Sequence, residues 1–224
     1  MSEKGTTSEI DSAVSLNNSF SKLLERIVVP SINEKPSPPT ISEKSIEFYA
    51  NIMASFGYEF SPGTLSILAD YLKGYNLWLC GNVGTGKTFF FDCVSKMRRK
   101  RGCEPLVKLS MIETQGWTME DARRWADETR DYDVVIDDVG REPRMKSYGQ
   151  EAEVFPYLLE KRMQLSNQRT HLTSNYGILD IKKRYLEPVA DRFVQVFKME
   201  QMKEKKSRRV LKIWRNVKQG MCAL

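Results

Sequence analysis

Eight residues constrain this chain more than any others: Gly81-Asn82-Val83-Gly84-Thr85-Gly86-Lys87-Thr88. They fit G-x-x-x-x-G-K-[ST] at every fixed position, a spacing suited to a loop wrapped around phosphates. A triphosphate tail needs several backbone N–H donors pointing inward, and bulky side chains would block that approach. Glycines at 81, 84 and 86 let the loop curl closely, and a helix starting behind it adds its positive end. Lys87 then reaches the β- and γ-phosphates, while the Thr88 hydroxyl is placed to bind Mg²⁺. The expected cofactors are ATP and Mg²⁺, held by residues 81–88. The flanks agree. Leu77-Trp78-Leu79-Cys80 reads as a buried strand, and Phe90, Phe91, Val94 and Met97 recur at helical spacing from Thr88 to about Arg101.

The elements around this loop alternate. Ser42 to Phe56 reads as a helix carrying Ile46, Tyr49, Met53 and Phe56, with Gly57 as its stop. A second helix starts at Ser61-Pro62, a cap followed by proline in the first helical position, and carries Leu65, Leu68 and Leu72 to Gly74. Beyond the loop helix, Leu106-Val107-Lys108-Leu109 predicts a strand. Thr118 caps a helix with Met119, Ala122, Trp125 and Ala126 at helical spacing. The run Val134-Val135-Ile136 forms the next strand and ends in Asp137-Asp138. A helix over roughly 154–168, with Pro156 in its first turn, leads to a strand His171-Leu172-Thr173 ending at Ser174-Asn175. Apolar strands alternating with helices imply a parallel sheet covered on both faces, an α/β fold of the phosphate-loop NTPase kind.

Composition and charge narrow the classes. A chain of 224 residues with 41% hydrophobic and 29% charged residues suits one globular domain with a small appendage. No apolar run approaches the length that spans a bilayer, and the polar stretch 1–12 lacks a signal core. A cytoplasmic protein without a membrane partner is expected. The four cysteines (Cys80, Cys93, Cys103, Cys222) show no C-x-x-C spacing, which speaks against a zinc site or a disulfide framework. Cys80 and Cys93 fall on apolar faces as core filler, and His171, the single histidine, is expected to be structural. From residue 181 to 224, 13 Lys/Arg less 4 Asp/Glu leave +9 of the net +6, so the remainder carries −3. A basic end on a near-neutral body suits single-stranded nucleic acid, and equally a solvated helix face. Before the first helix, Phe20, Leu23, Leu24, Ile27 and Val28 make one short apolar stripe. It is followed by Glu34-Lys35-Pro36-Ser37-Pro38-Pro39, a stiff linker. Such a helix docks on a partner or folds back on its own body.

Asp137 lies 50 residues after Lys87, at the end of an apolar strand. A carboxylate placed there holds Mg²⁺ in phosphate-loop enzymes. Asp138 follows in the position suited to orienting and activating the attacking water. An aspartate is one methylene shorter than a glutamate, so slow hydrolysis is expected. Ser174-Asn175 ends the next strand with polar groups that could touch the γ-phosphate or the water.

Four blocks in this order resemble a known family: residues 81–88; 134–142 (Val-Val-Ile-Asp-Asp-Val-Gly-Arg-Glu); 172–176 (Leu-Thr-Ser-Asn-Tyr); and Asp191-Arg192-Phe193. Together they are similar to the AAA+ ATPases of the helicase-loader group, which includes DnaC- and DnaI-type loaders and IstB-type transposition helpers. The resemblance covers about residues 75–209. It implies a Walker A lysine and hydroxyl at Lys87 and Thr88, and Walker B at Asp137 and Asp138. It also implies sensor 1 at Asn175 beside Ser174, and an arginine finger at Arg192, after a helix stop at Pro188, that reaches a neighbouring subunit. Sensor 2 falls at Arg209 or Arg208. The implied sheet has the sensor-1 strand between the Walker strands, with the lid reduced or absent. The expected division is 1–41 as a disordered or short-helix segment with the proline-rich linker, 42–74 as a helical lead-in, 75–209 as the ATPase core, and 210–224 as a basic tail.

Two departures stand out. Some loaders carry a cysteine-ligated zinc module before the core, and here no cysteine precedes Cys80; the basic segment 203–218 is also long for the group. The leading expectation is an ATP-hydrolysing homo-oligomer that loads a replicative helicase onto DNA. An IstB-type helper with a transposase as partner shares the same core, and a nucleotide-gated switch with little turnover is the third reading. A small-molecule kinase would need an acceptor pocket and an arginine-bearing lid, and neither is recognisable.

Overall fold

In the computed structural model the described residues are 39–142, 145–147, 150–152, 154–165 and 168–202. The chain divides into two units, Met1–Pro38 and Pro39–Leu224, and everything described falls in the second. The short apolar stripe at 20–28, the linker's first residues, Cys222 and the basic segment with Arg208 and Arg209 lie outside the described residues.

Two helices lead in. Helix α1 (Glu43–Ala54) starts where the Ser42 side chain accepts the Ser45 amide, and Gly57 takes a φ of 84° just past its end. Helix α2 (Pro62–Leu72) opens on a reciprocal capping box between Ser61 and Thr64, with Pro62 at its first position. Its buried face is Ile67, Leu68 and Tyr71, whereas Leu65 is exposed. The expected Leu65–Leu68–Leu72 stripe is thus rotated by part of a turn. Leucine at 65 is core by type, but Ile67 and Tyr71 take the inward positions beside Leu68.

The sheet is parallel. Its strands are β1 (Leu77–Cys80), β2 (Val107–Ser110), β3 (Val134–Val139), β6 (Thr170–Ser174) and β7 (Lys198–Gln201). They stand in the order β2-β3-β6-β1-β7. Strand β6 therefore lies between β1 and β3, as expected. Between β1 and β2 runs α3 (Lys87–Lys100), and between β2 and β3 a 3₁₀ turn (Met111–Thr114) and α4 (Met119–Glu128). Thr118 and Asp121 cap α4 reciprocally. A two-stranded antiparallel hairpin, β4 (Met145–Ser147) with β5 (Gln150–Ala152), precedes α5 (Val154–Leu165). Helix α6 (Ile178–Val196) connects β6 to β7.

Strand alternation builds two apolar layers. Leu77 and Leu79 point into a core shared by α1, α2 and α3, with Met53, Leu68, Phe90, Phe91 and Val94. Trp78, between them, faces the other way onto the Phe193 ring of α6, which also meets Phe155 of α5. The sheet is covered on both faces. Cys80 and Cys93 are buried, as expected, and burial raises the Cys80 thiol pKa. Cys103 is exposed.

Helix α6 does not stop at Pro188; it runs on to Val196. A proline inside a helix removes one backbone hydrogen bond and crowds the preceding turn. Here the loss is outweighed by a stripe at four-residue spacing, Ile181, Tyr185, Val189 and Phe193, all of it buried.

At the N-terminal edge of the sheet, Asp133 receives both Arg98 and Arg169 at 2.8 Å. Burial alone would raise its pKa, but the hydrogen bonds and charge of Arg169, with Arg98, hold it below the usual carboxylate range. His171 is fully buried between the Tyr71 and Phe91 rings, and its Nδ1 accepts the Leu77 amide at 3.2 Å. Burial lowers its pKa to about 3, so the ring is neutral and structural.

Candidate functional site

The phosphate-loop residues connect β1 to α3 at the C-terminal edge of the sheet. Gly81, Gly84 and Gly86 take φ values of 143°, 83° and 94°. Gly81 has a second reason to be glycine: a Cβ there would come within 2.5 Å of the Met202 carbonyl oxygen. The Thr85 hydroxyl closes the turn on the Asn82 carbonyl at 3.0 Å, while Val83 points outward. Gly86 caps α3 without a side-chain hydrogen bond, so no side chain competes for the first-turn amides.

Lys87 and Thr88, the first residues of α3, reach the next two strands. The Lys87 ammonium, almost fully buried, donates to the Gly81 carbonyl at 2.7 Å, the Asn82 carbonyl at 2.9 Å and Asn175 Oδ1 at 2.9 Å. The Thr88 hydroxyl donates to Asp137 Oδ1 at 2.9 Å. Four of the residues singled out in the sequence, from three separate blocks, are thereby brought together: Lys87 with Asn175, and Thr88 with Asp137.

Strand β3 changes character at its end. Its register with β6 shifts between Ile136 and Val139, which puts one extra residue on β3 opposite Thr173. This is a β-bulge, a device that re-aims side chains. Asp138 sits in it with φ 59°, the one described non-glycine residue at positive φ. Its amide donates to the Thr173 hydroxyl at 3.0 Å, and that hydroxyl donates to Asp137 Oδ1 at 2.5 Å. One buried threonine thus holds both carboxylate residues. The Asp138 carboxylate lies 3.7 Å from Arg141.

Beyond the bulge, the 139–142 turn is fastened to α6. The buried Glu142 carboxylate accepts the Gly140 amide at 2.9 Å and the Tyr185 hydroxyl, and Arg184 donates to the Glu142 carbonyl at 2.9 Å. Glu142 is committed to this packing.

Other expected residues fall elsewhere. Ser174 is fully buried, and its hydroxyl donates to the Val139 carbonyl at 2.7 Å and accepts the Tyr176 amide. It fixes the strand end, and only Asn175 of the pair reaches Lys87. Arg192 lies near the end of α6, which by then has returned to the N-terminal edge of the sheet, where Lys198 pairs with Leu77.

Three participants were given no role by the sequence, although Thr173 stands within the 172–176 block. Thr173 acts through the bulge. Lys108 Nζ lies 3.3 Å from Asp137 Oδ2 and 3.4 Å from Asp92 Oδ1. Asp92 is one helical turn past Thr88, a spacing that places both on one face and could have marked it. Nothing in the sequence around Lys108 marks it.

The donor set suits a magnesium nucleotide. A hydroxyl and a carboxylate, both oxygen donors, meet at 2.9 Å beside a buried lysine and an uncapped helix start. Among the described residues no group of three or more His, Cys, Asp or Glu could hold a metal ion. A cation here would take its remaining ligands from phosphates and water, the usual manner of Mg²⁺.

Loop, strand order and carboxylate-ended strand define the α/β fold of a phosphate-loop NTPase. Solved structures resembling the chain include the AMPPCP-bound DnaA from Aquifex aeolicus, at 20% identity and a TM-score of 0.47, over 73% of this chain and 54% of that one. A DnaC helicase loader matches at 17% identity and a TM-score of 0.43, over 76% of this chain and 95% of that one. A DnaA bound to AMPPCP and single-stranded DNA matches at 17% identity and a TM-score of 0.45. The chain spans about half the length of these DnaA chains. No protein-family model and no curated protein matches it. Among the described residues no helix is long and apolar enough to cross a membrane.

Proposed function

We propose that this protein is an ATP-binding and ATP-hydrolysing assembly factor that loads a replicative helicase onto DNA. The observation that carries the nucleotide part is the convergence of Lys87, Thr88, Asp137 and Asn175 from three elements onto one end of the sheet. In this reading residues 81–88 cradle the phosphates through backbone amides, and Lys87 neutralises the β- and γ-phosphates. Thr88 and Asp137 would hold Mg²⁺, which would supply charge neutralisation for the phosphates. Asp138 accepts a proton from the attacking water, Asn175 orients the γ-phosphate end, and Arg192 serves a neighbouring subunit. The helicase and single-stranded DNA enter from the four motif blocks and the basic segment 203–218, and Arg209 or Arg208 would be sensor 2. The shared core leaves an IstB-type helper, with a transposase for partner, as the sister proposal.

The test has two layers. Lys87→Ala should lose Mg-ATP affinity by at least ~10²-fold, because buried phosphate charge loses its cationic partner. Wild-type affinity in that variant would remove the site. ATP turnover should then rise when single-stranded DNA and a hexameric helicase are added together. Stimulation by a transposase and not by the helicase would transfer the protein to the sister proposal.

A further inference from the structure

The Asp137 carboxylate is more crowded than its proposed role requires. Oδ1 already takes the Thr88 and Thr173 hydroxyls, and Oδ2 faces the Lys108 ammonium at 3.3 Å. That ammonium comes from β2, the edge strand, and is partly exposed, with a side-chain relative accessibility of 39% against 7% for Asp137. Asp92 stands on its other side at 3.4 Å. Lys108 therefore bridges two carboxylates, one buried in the site and one at its rim.

We infer that Lys108 is a tethered cation that competes with Mg²⁺ for Asp137 and so sets the Mg²⁺ concentration at which the site takes up nucleotide. This rests on Asp137 being the metal-holding carboxylate. Its physical basis is the shared oxygen. A divalent cation on this carboxylate and an ammonium 3.3 Å from Oδ2 repel each other, and the repulsion is strong where one partner is buried. The flexible lysine stem lets the charge retreat. Asp92 gives it a second carboxylate without leaving the neighbourhood, so the contest is balanced rather than fixed for either cation. The lysine thus acts as a threshold on the metal and not as a phosphate ligand.

The experiment is nucleotide binding with Mg²⁺ as the variable. A fluorescent ADP analogue is held at fixed concentration with the full-length protein, and Mg²⁺ is titrated into wild type, Lys108→Met and Lys108→Arg. The midpoint should fall about fivefold in Lys108→Met, the upper end for a partly exposed ion pair. It should stay within about twofold of wild type in Lys108→Arg, which keeps the charge. Nucleotide affinity at saturating Mg²⁺ should be equal in all three. Far-UV circular dichroism and thermal midpoints show that the variants are folded. A midpoint in Lys108→Met equal to or above wild type overturns the inference, as does a Lys108→Arg that behaves like Lys108→Met. Nucleotide binding that ignores Mg²⁺ in wild type overturns the metal-site reading instead, and the inference with it.

Discussion

Replacing Thr173 by valine keeps the shape of a fully buried β6 side chain and deletes one oxygen atom. That oxygen donates to Asp137 Oδ1 at 2.5 Å and accepts the Asp138 amide at 3.0 Å. The first bond, to a charged group, is worth ~1.5–3 kcal/mol, and an orphaned buried amide costs ~1–3 kcal/mol. The two share an atom and do not add fully, so a loss of about 3 kcal/mol is expected. For a domain of this size that lowers the thermal midpoint by about 6–12 °C. The functional consequence runs through Asp138. A left-handed backbone costs a non-glycine residue ~1–2 kcal/mol, and the bond to Thr173 helps hold it there. Released, the bulge relaxes and carries the carboxylate away from its position. Turnover should then fall by about 10²-fold, the lower end for loss of a general base, while Mg-ATP affinity changes by less than about threefold. Thr173→Ser, which restores the hydroxyl, should recover most of both losses. Steady-state ATPase rates, fluorescent-nucleotide binding and thermal unfolding on the three proteins decide the matter. Wild-type turnover together with a midpoint within about 2 °C in Thr173→Val would refute the reasoning.

Three further outcomes are expected. Asp138→Asn should bind Mg-ATP normally and lose hydrolysis by ~10²–10⁴-fold; unchanged turnover would mean that another group handles the water. Arg192→Ala should bind ATP and hydrolyse it poorly, and mixing it with Lys87→Ala should restore activity, since an intact loop can then meet an intact arginine. No rescue in a mixture shown to co-assemble would refute a trans-acting role. Because the His171 pKa is depressed to about 3, the unfolded chain binds the extra proton first as pH falls. Stability should therefore drop below the unfolded value near pH 6.5, by up to ~1.4 kcal/mol per pH unit. His171→Asn, which offers Oδ1 to the Leu77 amide, should lose this part of the acid slope in denaturant titrations; an unchanged slope would show that His171 does not carry it.

The features most legible in the sequence were those that local chemistry decides. Ser61 and Thr118 are caps by type, and each caps a helix. The loop needs three glycines at positive φ, and an apolar run such as Val134-Val135-Ile136 has few fates other than a buried strand. What the sequence concealed depends on contacts across the fold. Pro188 reads as a stop until the buried stripe from Ile181 to Phe193 is seen. The three-residue strands Met145–Ser147 and Gln150–Ala152 are too short to show alternation. Asp137-Asp138 looks like a strand end, yet β3 continues to Val139 because the bulge absorbs one residue. Within the site, the motif residues were readable because backbone geometry demands them. The parts played by Thr173, though it stands in a motif block, and by Lys108 were not, since what matters about them is which atom they face across a strand boundary.

The contact between Gly81 and Met202 has a mechanical side. The Met202 amide bonds the Cys80 carbonyl at 2.8 Å, and its own carbonyl oxygen lies where a Gly81 side chain would be. The last strand of the sheet and the first bend of the loop are therefore clasped, with no slack between them. A shift of the backbone at Met202 therefore bears on Gly81 directly, as well as on β7 through the chain. A shift of the loop is passed back along the same route. The end of β7 and the phosphate-binding bend are thus not free to move independently.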